Sequence, residues 1–69
     1  MYEVDARGLS CPEPVMMTAE ALKSHGDEDI RVLVSEPHCY KNVEKYAASQ
    51  GKTSEVHALG SEFEVIIKK

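Results

Sequence analysis

Alternating apolar and polar residues predict the strands of this chain. The predicted strands cover residues 2–5, 30–34, 53–59 and 62–68. In the second of them, Ile30, Val32 and Val34 share one face of a β-branched run. Gly60-Ser61 separates the last two strands by a turn of hairpin length, so these strands are expected to pair antiparallel.

Apolar residues at helical spacing predict two helices between the strands. The first opens at Cys11-Pro12-Glu13-Pro14, because prolines in a first turn replace N–H groups that have no partner there. The second is expected from about residue 38 to residue 50, with Gly51 as its stop. The residues predicted to face inward are Val15, Ala19 and Leu22 on the first helix and Val43, Tyr46 and Ala47 on the second.

The predicted order of elements is β-α-β-α-β-β. A right-handed crossover makes the first two strands parallel, and the closing hairpin adds an antiparallel pair. The sequence therefore predicts an α/β fold of the α+β two-layer sandwich type, a four-stranded mixed sheet with two helices packed on one face. Its 69 residues are expected to form one domain over residues 1–69.

Composition and charge narrow the class of protein. Apolar residues make up 42% of the chain, which is typical of a globular domain. The net charge of −4 disfavours direct nucleic-acid binding, which needs clustered Lys and Arg. No apolar run reaches the roughly 20 residues of a membrane span, and the N-terminus lacks a signal-peptide pattern. We expect a cytoplasmic protein without a membrane span.

Cys11 is the candidate reactive residue. It is predicted at a helix N-terminus, where the positive end of the helix dipole favours a thiolate. Arg7 would add positive charge if its loop folds back, whereas Glu13 opposes the thiolate as a like charge. We expect a moderately activated thiol. The alternative is that Cys11 only caps or packs the helix.

Cys39 follows the second strand as Cys11 follows the first, so the two sulfurs are expected on the same rim of the sheet, too far apart to bridge. A resolving thiol, a disulfide partner and a buried small residue all remain open for Cys39.

The histidines His25, His38 and His57 suggest a metal, but only His38-Cys39 is close-set in sequence. Adjacent residues rarely both reach one ion, so neither a metal nor another cofactor is expected.

The segment from Asp5 to Val15, which reads Asp-Ala-Arg-Gly-Leu-Ser-Cys-Pro-Glu-Pro-Val, resembles the TusA/SirA family of small sulfur-carrier proteins. The mark of that family is a strand, an acid, a Gly-Leu step and then Cys-Pro-x-Pro at the start of the first helix. The order of elements and the chain length also match. Residues 41–47 and Gly51 further resemble the YedF-like branch, which is associated with sulfur or selenium metabolism.

The resemblance implies that Cys11 accepts a persulfide sulfur from a protein donor, such as a cysteine desulfurase, and passes it to a protein acceptor. The residues that match the motif around it are Asp5, Arg7, Gly8, Pro12 and Pro14, and Glu13 stands at the variable position of Cys-Pro-x-Pro as a supporting residue. Met16, predicted to be exposed, and Glu36 are candidates for partner docking. Ser35 stands where sulfur-relay members often carry an acid, which puts a role in tRNA thiolation in doubt.

Two other functions fit the same residues. A carrier of this fold could handle selenium through the same Cys11. A non-catalytic interaction or regulatory module would use the acidic surface instead. Loading of a sulfur atom onto Cys11 would separate the sulfur carrier from the interaction module.

Overall fold

The computed structural model describes residues 1–10 and 13–69. The elements of this part of the chain are β1 (Tyr2–Asp5), α1 (Glu13–His25), β2 (Ile30–Val34), α2 (Pro37–Ser49), β3 (Thr53–Leu59) and β4 (Glu62–Lys68). The predicted order β-α-β-α-β-β is confirmed. The predicted opening of the first helix at Cys11 and Pro12 lies outside the described residues.

The strands form one mixed sheet with the order β1-β2-β4-β3. β1 and β2 are parallel, with Val4 opposite Val32. β4 runs antiparallel to both β2 and β3, so the closing hairpin inserts its second strand into the middle of the sheet. The two central strands, β2 and β4, are accordingly the ones whose apolar residues are most deeply buried.

Both helices pack on one face of the sheet, and the core lies between the two layers. The strand residues at 0 or 1% exposure are Ile30, Val32, Val34, Val65 and Ile67. This confirms the face predicted for the β-branched run of β2. On the same face of β4, Phe63 is partly buried, and its ring lies 4.9 Å from the ring of Tyr40 on α2. This contact between two aromatic rings therefore joins the helical layer to the sheet at the start of β4.

The face that α1 turns towards the sheet differs from the predicted one. The fully buried residues of α1 are Pro14, Thr18 and Ala21. The residues predicted to face inward, Val15, Ala19 and Leu22, are only partly buried. The Thr18 hydroxyl donates a hydrogen bond of 2.8 Å to the carbonyl of Pro14, so this polar side chain enters the core with its donor satisfied. Val15 and Leu22 still pack against the core from the flank.

The inward face of α2 agrees better with the prediction. Val43 and Ala47 are fully buried, whereas Tyr46 is only half-buried. Cys39, in the first turn, is fully buried in the same cluster. After the helix, Gly51 adopts a φ of 76°, a left-handed conformation that glycine adopts without steric cost. Over residues 1–10 and 13–69, neither helix is long and apolar enough to cross a membrane.

The opposite face of the sheet, here called the open face, carries charged residues. Arg31 of β2 donates hydrogen bonds to Glu64 of β4 and to Glu3 of β1. These bonds, the one to Glu64 foremost, raise the pKa of Arg31. Leu33, next to them on the same face, is only 7% exposed. One guanidinium thus connects three strands across the face that lies opposite the two helices described above.

Ile66 and Ile67 are neighbours on β4 that test this division into two faces. Ile67 lies in the core at 1% exposure, whereas Ile66 is half-buried on the open face. We expect Ile67→Val to lower the free energy of unfolding by about 1 kcal/mol, because the lost methyl group leaves a cavity. Ile66→Val should cost clearly less. Urea denaturation followed by circular dichroism measures both, and equal losses would contradict the assignment of the faces.

Candidate functional site

The candidate site lies at the edge of the sheet where the parallel strands β1 and β2 both end. Pairing continues past β1, since the amide of Ala6 donates a hydrogen bond of 2.8 Å to the carbonyl of Leu33. Residues 7–10 lead from there towards α1, and residues 35 and 36 lead from β2 into α2. The carboxyl ends of parallel strands are the usual location of sites in α/β folds. We refer to residues 6–10 as the first loop and to residues 35 and 36 as the second loop.

One hydrogen bond joins the two loops. The amide of Gly8 donates to the hydroxyl oxygen of Ser35 at 2.8 Å. Gly8 adopts a φ of 80°, so the turn requires a residue that tolerates the left-handed region. The Ser35 side chain therefore holds the first loop against the second loop. Nothing in the sequence pattern signalled that partnership.

Asp5 and Arg7 form an ion pair at the base of the first loop. The Asp5 carboxylate accepts two hydrogen bonds of 2.9 Å from the Arg7 guanidinium and one of 3.2 Å from the Arg7 amide. The side-chain bonds come first among the causes that lower the pKa of Asp5 from 3.8 to about 2. Arg7 also reaches Glu62 at 3.4 Å, and these contacts raise its pKa. The carboxylates of Asp5 and Glu62 thus balance the positive charge of Arg7. These contacts hold the first loop in place.

A backbone hydrogen bond joins the last residue of the first loop to the first residue of α1. The amide of Glu13 donates a hydrogen bond of 3.0 Å to the carbonyl of Ser10. Glu13 is exposed, and Pro14 is buried against the sheet. Cys11 and Pro12 stand between these residues in the sequence and lie outside the described residues. The predictions about the Cys11 thiol and about its separation from Cys39 therefore stay predictions.

Met16 lies on the outer side of α1 in its first turns. Its side chain is 63% exposed, and Glu20 on the same side of the helix is exposed as well. The exposure predicted for Met16 is confirmed. A flexible, polarizable side chain in that position adds apolar contact area to a surface that is otherwise polar.

The second loop leads into a cluster of three polar groups at the start of α2. Glu36 is the N-cap residue of α2, and its carboxylate oxygen Oε2 lies 3.7 Å from Nε2 of His38. One ligating atom from each of Glu36, His38 and Cys39 lies within 4.8 Å of the others. Sequence reasoning considered His38 with Cys39 but missed Glu36. The sequence signal for Glu36 was its position three residues before Cys39, because side chains at the N-cap and N3 positions of a helix approach each other.

The other two histidines have different surroundings. His25 stacks on the ring of Tyr2 at a centroid distance of 3.8 Å, and its Nδ1 lies 3.4 Å from a carboxylate oxygen of Glu28. His57 is exposed in the middle of β3. In the described part of the chain, His38 is thus the histidine that joins a three-membered group of metal-ligating side chains.

Two clefts lie away from this edge of the sheet. A cleft of about 280 Å³ runs between β1 and α1, with Tyr2 and His25 at one end. The other lies between the helices and is lined by residues such as Leu22 and Tyr46. Neither of these two clefts is lined by residues of the first loop or the second loop.

The Ser35 hydroxyl gives a first test of the site geometry. In Ser35→Ala, the Gly8 amide loses its acceptor, so its hydrogen exchange should become faster while the amides of the central strands keep their protection. Because the bond lies at the surface, the free energy of unfolding should fall by no more than about 1 kcal/mol. Ser61→Ala, in the turn of the hairpin, is the matched control. Unchanged exchange at Gly8 would contradict the contact.

The Asp5–Arg7 pair gives a second test, because its pKa shift has a defined sign. A carboxyl whose pKa is lowered in the folded state stabilises the protein above its ordinary pKa, and this stabilisation is lost as the pH falls through the lowered value. For Asp5 the loss should occur between about pH 4 and about pH 2. Carboxyl chemical shifts measured by NMR should show a midpoint near 2 for Asp5, and Arg7→Gln should move it back towards 3.8.

Comparison with known proteins agrees with the geometry of this site. The family model described as sulfurtransferase TusA matches residues 2–69. A solved structure of a SirA-like protein from Desulfitobacterium hafniense is similar over 99% of this chain and 96% of that one, at 32% sequence identity and a TM-score of 0.89. Both matches span the two loops and both helices, as the resemblance read from residues 5–15 implied. The chain belongs to the TusA family of sulfurtransferases.

Proposed function

We propose that the protein carries sulfur as a persulfide on Cys11, between a protein donor of the cysteine-desulfurase kind and a protein acceptor. The observation that carries the proposal is the family match over residues 2–69, together with the Cys-Pro-x-Pro motif at residues 11–14. Membership of the TusA family implies relay partners of this kind. The proposal concerns the kind of donor and the kind of acceptor that serve this chain.

The chemistry is an exchange between thiols and needs no outside oxidant. The Cys11 thiolate attacks the outer sulfur of a persulfide on the donor cysteine. The new S–S bond forms as the old one breaks, and the donor leaves as a thiolate. In the second transfer, from Cys11 to the acceptor, a thiolate of the acceptor attacks the outer sulfur held on Cys11. Cys11 is then released as a thiolate. The sulfur atom moves, and no electrons are gained or lost overall.

The described residues around Cys11 support this role by fixing the chain on either side of it. Before it, the first loop is held by the Asp5–Arg7 ion pair and by the bond from Gly8 to Ser35. After it, Pro14 is buried and the regular helix begins. A carrier must present one sulfur to two different partners in turn, so a fixed anchor on both sides is useful, because it lowers the entropy cost of each encounter.

Two residues, one exposed and one half-buried, are proposed to contact the partners. Met16 supplies apolar contact area on α1, and Glu36 supplies a negative charge on the second loop. Glu36 follows the position at which sulfur-relay relatives often carry an acid, while Ser35 itself is occupied by Gly8. The acid is thus displaced by one residue, which supports a partner different from that of the tRNA-thiolation relay. Both partners are proposed to be cytoplasmic proteins, and direct nucleic-acid binding is not part of this proposal.

Mass spectrometry tests the loading step. After incubation with a cysteine desulfurase and cysteine, the protein should gain one sulfur atom, about 32 Da, on Cys11. Cys11→Ala should abolish the gain, whereas Cys39→Ala should keep it. Absence of the adduct in the wild-type protein would favour the interaction module. Loss of loading in Cys39→Ala alone, with the fold retained, would point to a mechanism that needs two thiols.

The docking role of Met16 can be tested separately from loading. Met16→Glu should slow sulfur transfer from the desulfurase several-fold, because a charge replaces apolar area at the proposed contact. The circular dichroism spectrum should not change, since the side chain is 63% exposed. Leu59→Glu is the matched control, an exposed apolar residue at the end of β3. Equal slowing by both variants would show that Met16 makes no specific contact.

A further inference from the structure

The cluster at the start of α2 contains three different kinds of metal ligand, and none of them forms the sulfur–sulfur bond that is proposed for Cys11. Glu36 offers a carboxylate oxygen, His38 an imidazole nitrogen and Cys39 a sulfur, all within 4.8 Å of one another. The carboxylate and imidazole already approach to 3.7 Å. Cys39 is fully buried, whereas the His38 side chain is 64% exposed, so the cluster runs from the core to the surface.

The beginning of a helix explains why these residues converge. Glu36 is the N-cap residue and Pro37 takes the first helical position, so His38 and Cys39 are the second and third helical residues. Side chains at the N-cap and N3 positions approach each other in the geometry of a capping box. In a capping box the N-cap side chain binds a backbone amide, but the Glu36 carboxylate makes no such bond. It faces the imidazole of His38 instead.

We propose that Glu36, His38 and Cys39 form a zinc-binding site. A thiolate, an imidazole and a carboxylate are the ligands that zinc takes in proteins, and three protein ligands leave a fourth position open. Tetrahedral bonds of 2.0–2.3 Å place ligand atoms roughly 3.5 Å apart. Since the ligand atoms lie within 4.8 Å of one another, the cluster must contract by about 1 Å at its widest, through rotation about the side-chain bonds of its members.

Charge sets the strength of this site. The positive end of the α2 dipole opposes a cation. The Glu36 carboxylate and the Cys39 thiolate bring two negative charges to the same point, and they outweigh that opposition. Zinc binding displaces the thiol proton and holds Cys39 as a metal thiolate. A zinc-bound Cys39 is then withdrawn from exchange with persulfides, which leaves Cys11 as the single carrier thiol.

The experiment uses the reduced full-length Cys11→Ala protein, in which Cys39 is the remaining one of the two cysteines. Titration with Co²⁺ should produce the near-ultraviolet band of a cobalt–thiolate bond with one equivalent bound, and Zn²⁺ should displace it. His38→Ala and Glu36→Gln should each weaken cobalt binding at least tenfold. Loss of a group that only hydrogen-bonds to a metal ligand already weakens metal binding about tenfold, and these variants remove a ligand itself. His57→Ala, which removes an exposed histidine on β3, is the matched control and should change nothing.

Zinc should also slow the alkylation of Cys39 in this protein, and a chelator should restore the rate. His38→Ala and Glu36→Gln alter surface groups, so circular dichroism should show an unchanged fold, and the test does not depend on replacing the buried cysteine. The proposal is overturned if no cobalt–thiolate band forms. It is overturned equally if the band keeps its full strength in both His38→Ala and Glu36→Gln, since the thiol would then bind alone. Failure of this test leaves sulfur loading of Cys11 untouched, because loading is measured without metal.

Discussion

The parallel pairing of β1 with β2 is the interaction on which the rest of the structure depends. It places Val4 beside Val32 in the core and continues into the bond from Ala6 to Leu33. Because the two strands run the same way, the segments that leave them start from the same edge. One leads to the carrier motif and the other to the start of α2. Two segments far apart in sequence thereby become neighbours.

Much of this fold can be predicted from local patterns, because strands and hairpins leave periodic signals. The β-branched run of β2 identified the buried face of that strand correctly. The inward stripe of α1 was predicted wrongly, since Thr18 and Pro14 do not read as core residues. Thr18 enters the core only because its hydroxyl bonds to a carbonyl of its own helix. Apolar spacing alone does not contain that information.

The site was predictable where it rests on a motif and unpredictable where it rests on tertiary contacts. Asp5 and Arg7 stand two residues apart, and their pairing is within reach of sequence reasoning. Glu62 joins them from 55 residues away, and Ser35 accepts from Gly8 across 27 residues. Such partners depend on which strands become neighbours in the sheet. The order β1-β2-β4-β3 has to be known before those contacts can be named.

The bond between Gly8 and Ser35 couples two events that would otherwise be independent. Under the proposed function, a partner that binds Glu36 on the second loop would also restrain the first loop, because the Gly8–Ser35 hydrogen bond joins the two loops. Recognition of the partner and presentation of the sulfur atom would then contribute to one binding free energy. A thiol that contacts only the sulfur would gain none of that free energy.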